Sequence, residues 1–210
     1  MTAAVLDFPQ LSEIDRQFIE LERQRDVIRA QYKLIMEPKK MSSWDTMFEW
    51  IIQHEGDTFV NHPSDPGGAT MLGITIKTWS DWIGREATID EMKALTKDDV
   101  KPLYKKWYHE KVNAQDLPVG VDWCVVDIGV NSGPSRAKKM LQKCVGVKQD
   151  GAVGPKTLAA VAALDPEEIV ERLHDERARF YRSLNKDMFI KGWLRRNKEV
   201  KEQALGLMEA

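Results

Sequence analysis

Cysteine is scarce in this chain: 210 residues hold only Cys124 and Cys144, both inside apolar helical patterns. A disulfide-stapled fold is therefore excluded. One bridge is the most the pair can form, and two buried free thiols suit their surroundings better. The four histidines are scattered without metal-ligand spacing, so neither a metal nor any other cofactor is expected. No run of about eighteen apolar residues occurs, which leaves no candidate for a membrane-spanning helix. The opening MTAAVLDFPQLSEIDRQ has no basic stretch leading into a long apolar one, so a secretory signal peptide is not expected.

What the chain does have is apolar content, 42% with seven Trp, enough for a genuine core in one sizeable domain or in one domain with an appendage. The net charge of −2 hides an asymmetry: residues 1–100 carry 11 basic and 18 acidic side chains, whereas residues 101–148 carry 9 and 4. A basic second half can attract an anionic polymer, although the same residues equally suit solvated helix faces. Residues 134–163 are basic but lack interleaved aromatics, so nucleic acid is not an expected partner.

Helical periodicity dominates. Leu11, Ile14, Phe18, Leu21, Arg25, Ile28, Tyr32 and Ile35 alternate in steps of three and four, the seam of a long amphipathic helix over 11–36. Four heptads interrupted by Arg25 favour docking or weak self-association over a strong dimer. Further helices are predicted over 43–55, 76–83, 89–95, 97–110 and 119–131. Others follow Pro134 and Pro155, run from Asp165 to about Leu184, and begin after Gly192-Trp193. Residues 57–74, with Pro63, Pro66, Gly67, Gly68 and Gly73, read as turns with room for one short hairpin. The fold class is mainly α.

Chemistry concentrates in HEGDTFVNHPSDPGGATMLGIT, residues 54–75. Glu55 closes a helix rich in Trp, Phe and Ile. The negative end of the helix dipole and partial desolvation both disfavour a charge there, as a proton donor at neutral pH requires. Asp65 lies ten residues on, in a polar loop where a carboxylate stays ionised. Gly67 and Gly68 let backbone approach a substrate, and Thr70 and Thr75 offer hydroxyls to place a water. Paired carboxyls of this kind are what acid-assisted glycosidic cleavage needs. Asn131, at a helix end, suits either a sugar N-acetyl group or a C-terminal cap. Trp79, Trp82 and Tyr108 offer platforms for saccharide rings, while their spacing also suits a core face. Asp127, in a helix apolar on most sides, needs a partner, with Arg136 or a backbone donor as candidates.

The same run resembles the signature of glycoside hydrolase family 108, in which an E-G-G-Y-like start leads through D-P-G-G-x-T to G-I-T; here Asp57 and Thr58 depart from the second Gly and its follower. Tyr104 with Trp107-Tyr108 and the segment Asp127 to Gly133 are similar to further family motifs. Asp150-Gly151-x-x-Gly154-Pro155-x-Thr157 and Gly192-Trp193 resemble a peptidoglycan-binding type 3 region. The Glu55, Asp65, Thr70 spacing is also similar to the triad of phage lysozymes. The resemblance implies a lysozyme-like helical domain with a small hairpin after the catalytic helix, and N-acetylmuramidase action on bacterial peptidoglycan. Glu55 would be the general acid, with Asp65 and Thr70 supporting it. The implied layout is a helical extension over 1–40, a catalytic region over 41–127 and a peptidoglycan-binding region over 128–210. The implied setting is a phage or prophage endolysin made in the bacterial cytoplasm and acting on the wall after release or export. The other reading is a wall-binding or virion structural protein without catalysis.

Overall fold

A computed structural model describes residues 13–36, 43–61 and 68–209. The chain divides into two units, Met1–Lys39 and Lys40–Ala210. In the first, α1 (Glu13–Met36) is one unbroken helix of 24 residues. Its polar side carries one-turn contacts such as Arg25 with Glu22 at 3.5 Å and Gln24 with Glu20 at 3.1 Å, each worth a few tenths of a kcal/mol. Leu11, the first residue of the predicted seam, lies outside the described residues.

The second unit is helical apart from one small hairpin. In α2 (Trp44–Glu55), Met47, Phe48, Ile51 and Ile52 recur at helical spacing and are buried. Gly56, at φ 82, ends it by returning its N–H to the Ile52 carbonyl. The chain then reaches β1 (Thr70–Met71) and β2 (Ile74–Thr75), antiparallel with Thr70 opposite Thr75, and Val60 adds a single bridge to Thr70. The two residues between the strands, Leu72 at φ 52 and Gly73 at φ 74, form the mirror-image turn that matches strand twist.

Thr75 caps α3 (Ile76–Ile83), accepting a hydrogen bond from the Thr78 N–H. Reciprocal capping boxes open α4 (Ile89–Ala94) through Thr88 and Glu91 and α5 (Lys97–Tyr104) through Thr96 and Asp99. The sequence predicts a continuous helix over 97–110, but α5 ends at Tyr104. It passes into a π-helical turn over Lys105–His109 and a 3₁₀ turn over Glu110–Val112. Pro102 inside α5 removes one helical N–H donor, and the wider turn beyond it carries Trp107, Tyr108 and His109 against the core.

At the centre lies α6 (Val121–Ser132), buried on every side from Val121 to Gly129. It touches α2, α7 (Pro134–Cys144), α9 (Pro166–Ser183) and α10 (Asp187–Glu209). A glycine is required just before it. Gly120 has φ +79, and a Cβ there would come 2.7 Å from the Ala204 carbonyl oxygen of α10. Helix α10 begins at Asp187 rather than after Trp193, so Gly192 is internal. One interior glycine costs about 1 kcal/mol. The rings of Trp193 stacked on Phe189, 5.7 Å between centroids, and tilted against Tyr181 at 5.2 Å outweigh it. The boundary read between 127 and 128 falls inside α6. Cys124 and Cys144 are free and buried.

The loop before α8 (Pro155–Ala162) folds around one buried side chain. Gln142, 1% exposed, donates from Nε2 to Asp150 Oδ1 at 2.7 Å and to the Ala152 carbonyl at 3.0 Å. Its Oε1 accepts from the Gly151 N–H at 2.8 Å. Asp150 and Thr157 of the D-G-x-x-G-P-x-T run thus close a turn. Gln142→Ala strips this loop of its centre and leaves buried polar groups unpaired; unfolding in urea should show a loss of about 2–3 kcal/mol.

Candidate active site

Glu55 stands at the last position of α2, where Gly56 turns the chain away, and its side chain is 23% exposed. Three elements converge on it. The hairpin turn covers its stem: a Cβ at Gly73 would lie 2.8 Å from Glu55 Cβ and 2.5 Å from the Tyr104 hydroxyl. Helix α5 and its π turn bring Tyr104 and Tyr108, whose rings are 5.4 Å apart. Tyr104 Oη donates to the Leu72 carbonyl at 2.9 Å and so pins the turn. Burial pushes both tyrosine hydroxyls up, and the neighbouring Glu55 charge adds to the effect, so both remain neutral donors.

The third element is α10. Arg196 donates from Nη1 to Glu55 Oε1 at 2.8 Å, and from Nε and Nη2 to Asp127 Oδ1 at 2.9 and 2.7 Å. Asp127, 0% exposed in α6, also has Arg177 of α9 beside it, Nη2 to Oδ2 at 2.6 Å. That contact is an ion pair set off the hydrogen-bond axis, and Arg177 Nη1 has no hydrogen-bond partner among the described residues. Burial alone would push the Asp127 carboxyl up, yet Arg177 and Arg196 together hold it below the usual range. Arg177 Nε continues the chain to Tyr181 Oη at 2.7 Å, which donates to Asn131 Oδ1 at 2.6 Å. One polar chain thus runs from Asn131 to Glu55 through Tyr181, Arg177, Asp127 and Arg196.

The residues singled out in the sequence are distributed as follows. Asn131 Oδ1 belongs to that chain, while its Nδ2 has no partner among the described residues. Tyr108 is beside Glu55. Thr75 uses its hydroxyl to cap α3 and meets Thr78 Oγ1 at 2.9 Å. Thr70 donates its hydroxyl to the Gly68 carbonyl at 3.2 Å. Trp79 and Trp82 are half-buried and pack on the core, Trp82 edge-on to Trp107 at 5.7 Å. Asp65 lies outside the described residues. Among the described residues no group of three His, Cys, Asp or Glu is placed to hold a metal.

Sequence reasoning missed Arg196 and Arg177. Arg136, the cation considered for Asp127, instead stacks on Phe180 at 4.3 Å. The true partners lie 50 and 69 residues further along the chain. A signal existed: Arg177 occupies the apolar stripe of α9 between Leu173 and Tyr181, and Arg196 is one turn before buried Val200. A cation on an inward stripe requires a buried anion.

Two family models cover most of the second unit: glycosyl hydrolase 108 over residues 48–133, and a "Predicted Peptidoglycan domain" over residues 136–198. The solved structure of SagA from Brucella abortus is 44% identical, covering 78% of this chain and 94% of that one with a TM-score of 0.71. The chain belongs to glycosyl hydrolase family 108. It is a glycoside hydrolase that acts on peptidoglycan. No curated protein sequence matches it.

Two outcomes test this site in the family 108 protein. Gly73→Ala forces a side chain onto φ +74 and into the Glu55 stem, so it should cost about 1–2 kcal/mol of stability and slow the clearing of wall suspensions at least about tenfold. Asp127→Asn leaves two guanidiniums without their shared anion and should cost about 3–5 kcal/mol. Because the Asp127 carboxyl is depressed in the fold, its contribution is present above the unfolded value of about 3.9 and lost as pH falls below it. Urea midpoints of the wild type should therefore drop below about pH 4, with a shallower drop in Asp127→Asn.

Proposed function

We propose that the enzyme is an N-acetylmuramidase, cleaving the β-1,4 bond between N-acetylmuramic acid and N-acetylglucosamine, with Glu55 as general acid. The observation that carries this reading is the asymmetric anchoring of the Glu55 carboxyl group. Oε1 is held by Arg196, while Oε2 has no hydrogen bond among the described residues and the side chain is partly exposed. An acid gripped by one oxygen presents the other in a fixed direction, which is worth much of the entropy of positioning.

In this mechanism Glu55 gives its proton to the glycosidic oxygen as the bond to the muramic anomeric carbon breaks. The electron pair of that bond leaves with the N-acetylglucosamine hydroxyl. Positive charge builds on the muramic ring, and the carboxylate left on Glu55 is met by the guanidinium already on Oε1. Asp65 supports the cationic ring, and a water completes the reaction by adding its hydroxyl to the anomeric carbon while its other proton restores the Glu55 carboxyl. Thr70, five residues after Asp65 in the chain, orders that water. Neutral Tyr108 and Asn131 Nδ2 are donors for sugar hydroxyl and N-acetyl oxygens, and Trp79 and Thr75 flank the same hairpin and helix.

The biological role proposed is that of a phage or prophage endolysin, made in the bacterial cytoplasm and reaching the wall during host lysis. Glu55→Gln keeps the shape and the Arg196 contact but has no acidic proton. Digestion of sacculi should fall by at least about a thousandfold with an unchanged helical circular dichroism spectrum. Mass spectrometry of wild-type digests should show new muramic acid reducing ends. Retained clearing by the variant, or reducing ends on glucosamine, would overturn the assignment.

A further inference from the structure

Helices α7 and α9 enclose a cleft of about 490 Å³ that the catalytic reading does not use. It opens beside Ser132, the last residue of α6. Ser132 lies five residues after Asp127, so the cleft begins about 7.5 Å along the helix from the buried carboxylate. Its rim is cationic, with Arg136, Lys139 and Lys143. The acid in the lining, Glu176, is already neutralised: Lys143 holds Oε1 at 2.5 Å and Arg179 holds Oε2 at 2.6 Å. Arg136 and Lys139 are exposed and have no carboxylate partner among the described residues. One wall is aromatic, formed by Phe180 with the Arg136 guanidinium over its ring at 4.3 Å.

A cationic cleft adds little to the binding of neutral sugar rings. In peptidoglycan the free carboxylates belong to the short peptides hung on the muramic lactyl groups. Resting on the muramidase reading for Glu55, we infer that this cleft receives the carboxylate-bearing peptide stem of the strand being cut. Arg136 and Lys139 pair with its carboxylates, Phe180 packs on its aliphatic carbons, and Gln149 meets its amides. The stem branches from the glycan next to the bond under attack, and Tyr181, the neighbour of Phe180, ties the cleft wall to Asn131 in the polar chain that ends at Glu55. Occupying the cleft would set the register of the glycan against the acid, so the enzyme prefers strands that keep their stems.

Two measurements test this. The first compares kcat/KM on stem-bearing glycan strands with that on strands stripped of their peptides by an amidase. In Arg136→Ala/Lys139→Ala the ratio should fall about tenfold, and Arg136→Lys/Lys139→Arg should restore most of it. An unchanged ratio overturns the proposal. The second titrates the wild-type protein with free L-alanyl-D-glutamyl-meso-diaminopimelyl-D-alanine, which contains no glycosidic bond, and in parallel with inorganic phosphate. Amide shifts confined to Ser135, Arg136 and Gln149, with the peptide at least about tenfold tighter than phosphate, support the stem site. No shifts, or equal affinity for phosphate, overturn it. Failure of Glu55 as the acid leaves this second measurement untouched, and so the two readings fail separately.

Discussion

The structure turns on one buried carboxylate shared between two guanidiniums. Asp127 is fully enclosed in α6, with Arg177 from α9 and Arg196 from α10 on its two oxygens. Taking three charges out of water is expensive, and such a cluster adds little net stability compared with a well-packed apolar core. What it adds is direction. Asp127 holds Arg196 through two of its nitrogens, and the third then points at Glu55. A guanidinium is planar and rigid, so fixing one side of the fork fixes the other.

This geometry joins two stretches of chain that match separate family models. Glu55 and Asp127 lie in the glycosyl hydrolase 108 segment, whereas Arg177 and Arg196 lie in the segment matched by the peptidoglycan model. The second segment therefore shapes the surroundings of Glu55. Its polar signature, Asp150 to Thr157, is occupied in closing a loop on Gln142. Exposed cations of the segment, Arg136 and Lys139, stand instead on α7.

Much of the fold is legible in the chain because local rules decide it. Thr88 with Glu91, Thr96 with Asp99, Asp165 before Pro166 and the glycine after Glu55 mark helix ends through hydrogen bonds within a few residues. Legibility fails where a distant contact outweighs a local preference. Gly192 reads as a start signal, yet Trp193 against Tyr181 and Phe189 carries α10 through it. The widening after Tyr104 is likewise settled by packing and leaves no mark beyond Pro102.

The sequence by itself determined most of the helices, the caps named above, the buried face of α2 and the position of Glu55 at a helix end, because each follows from periodicity and neighbours within one or two turns. Only the tertiary structure decided which cations meet Asp127, which oxygen of Glu55 is held, and that the Gly73 backbone lies against the acid's stem. Those contacts span between 18 and 141 residues of chain. Any of several arginines could satisfy a buried anion on chemical grounds, and the choice among them is made by how α6, α9 and α10 pack.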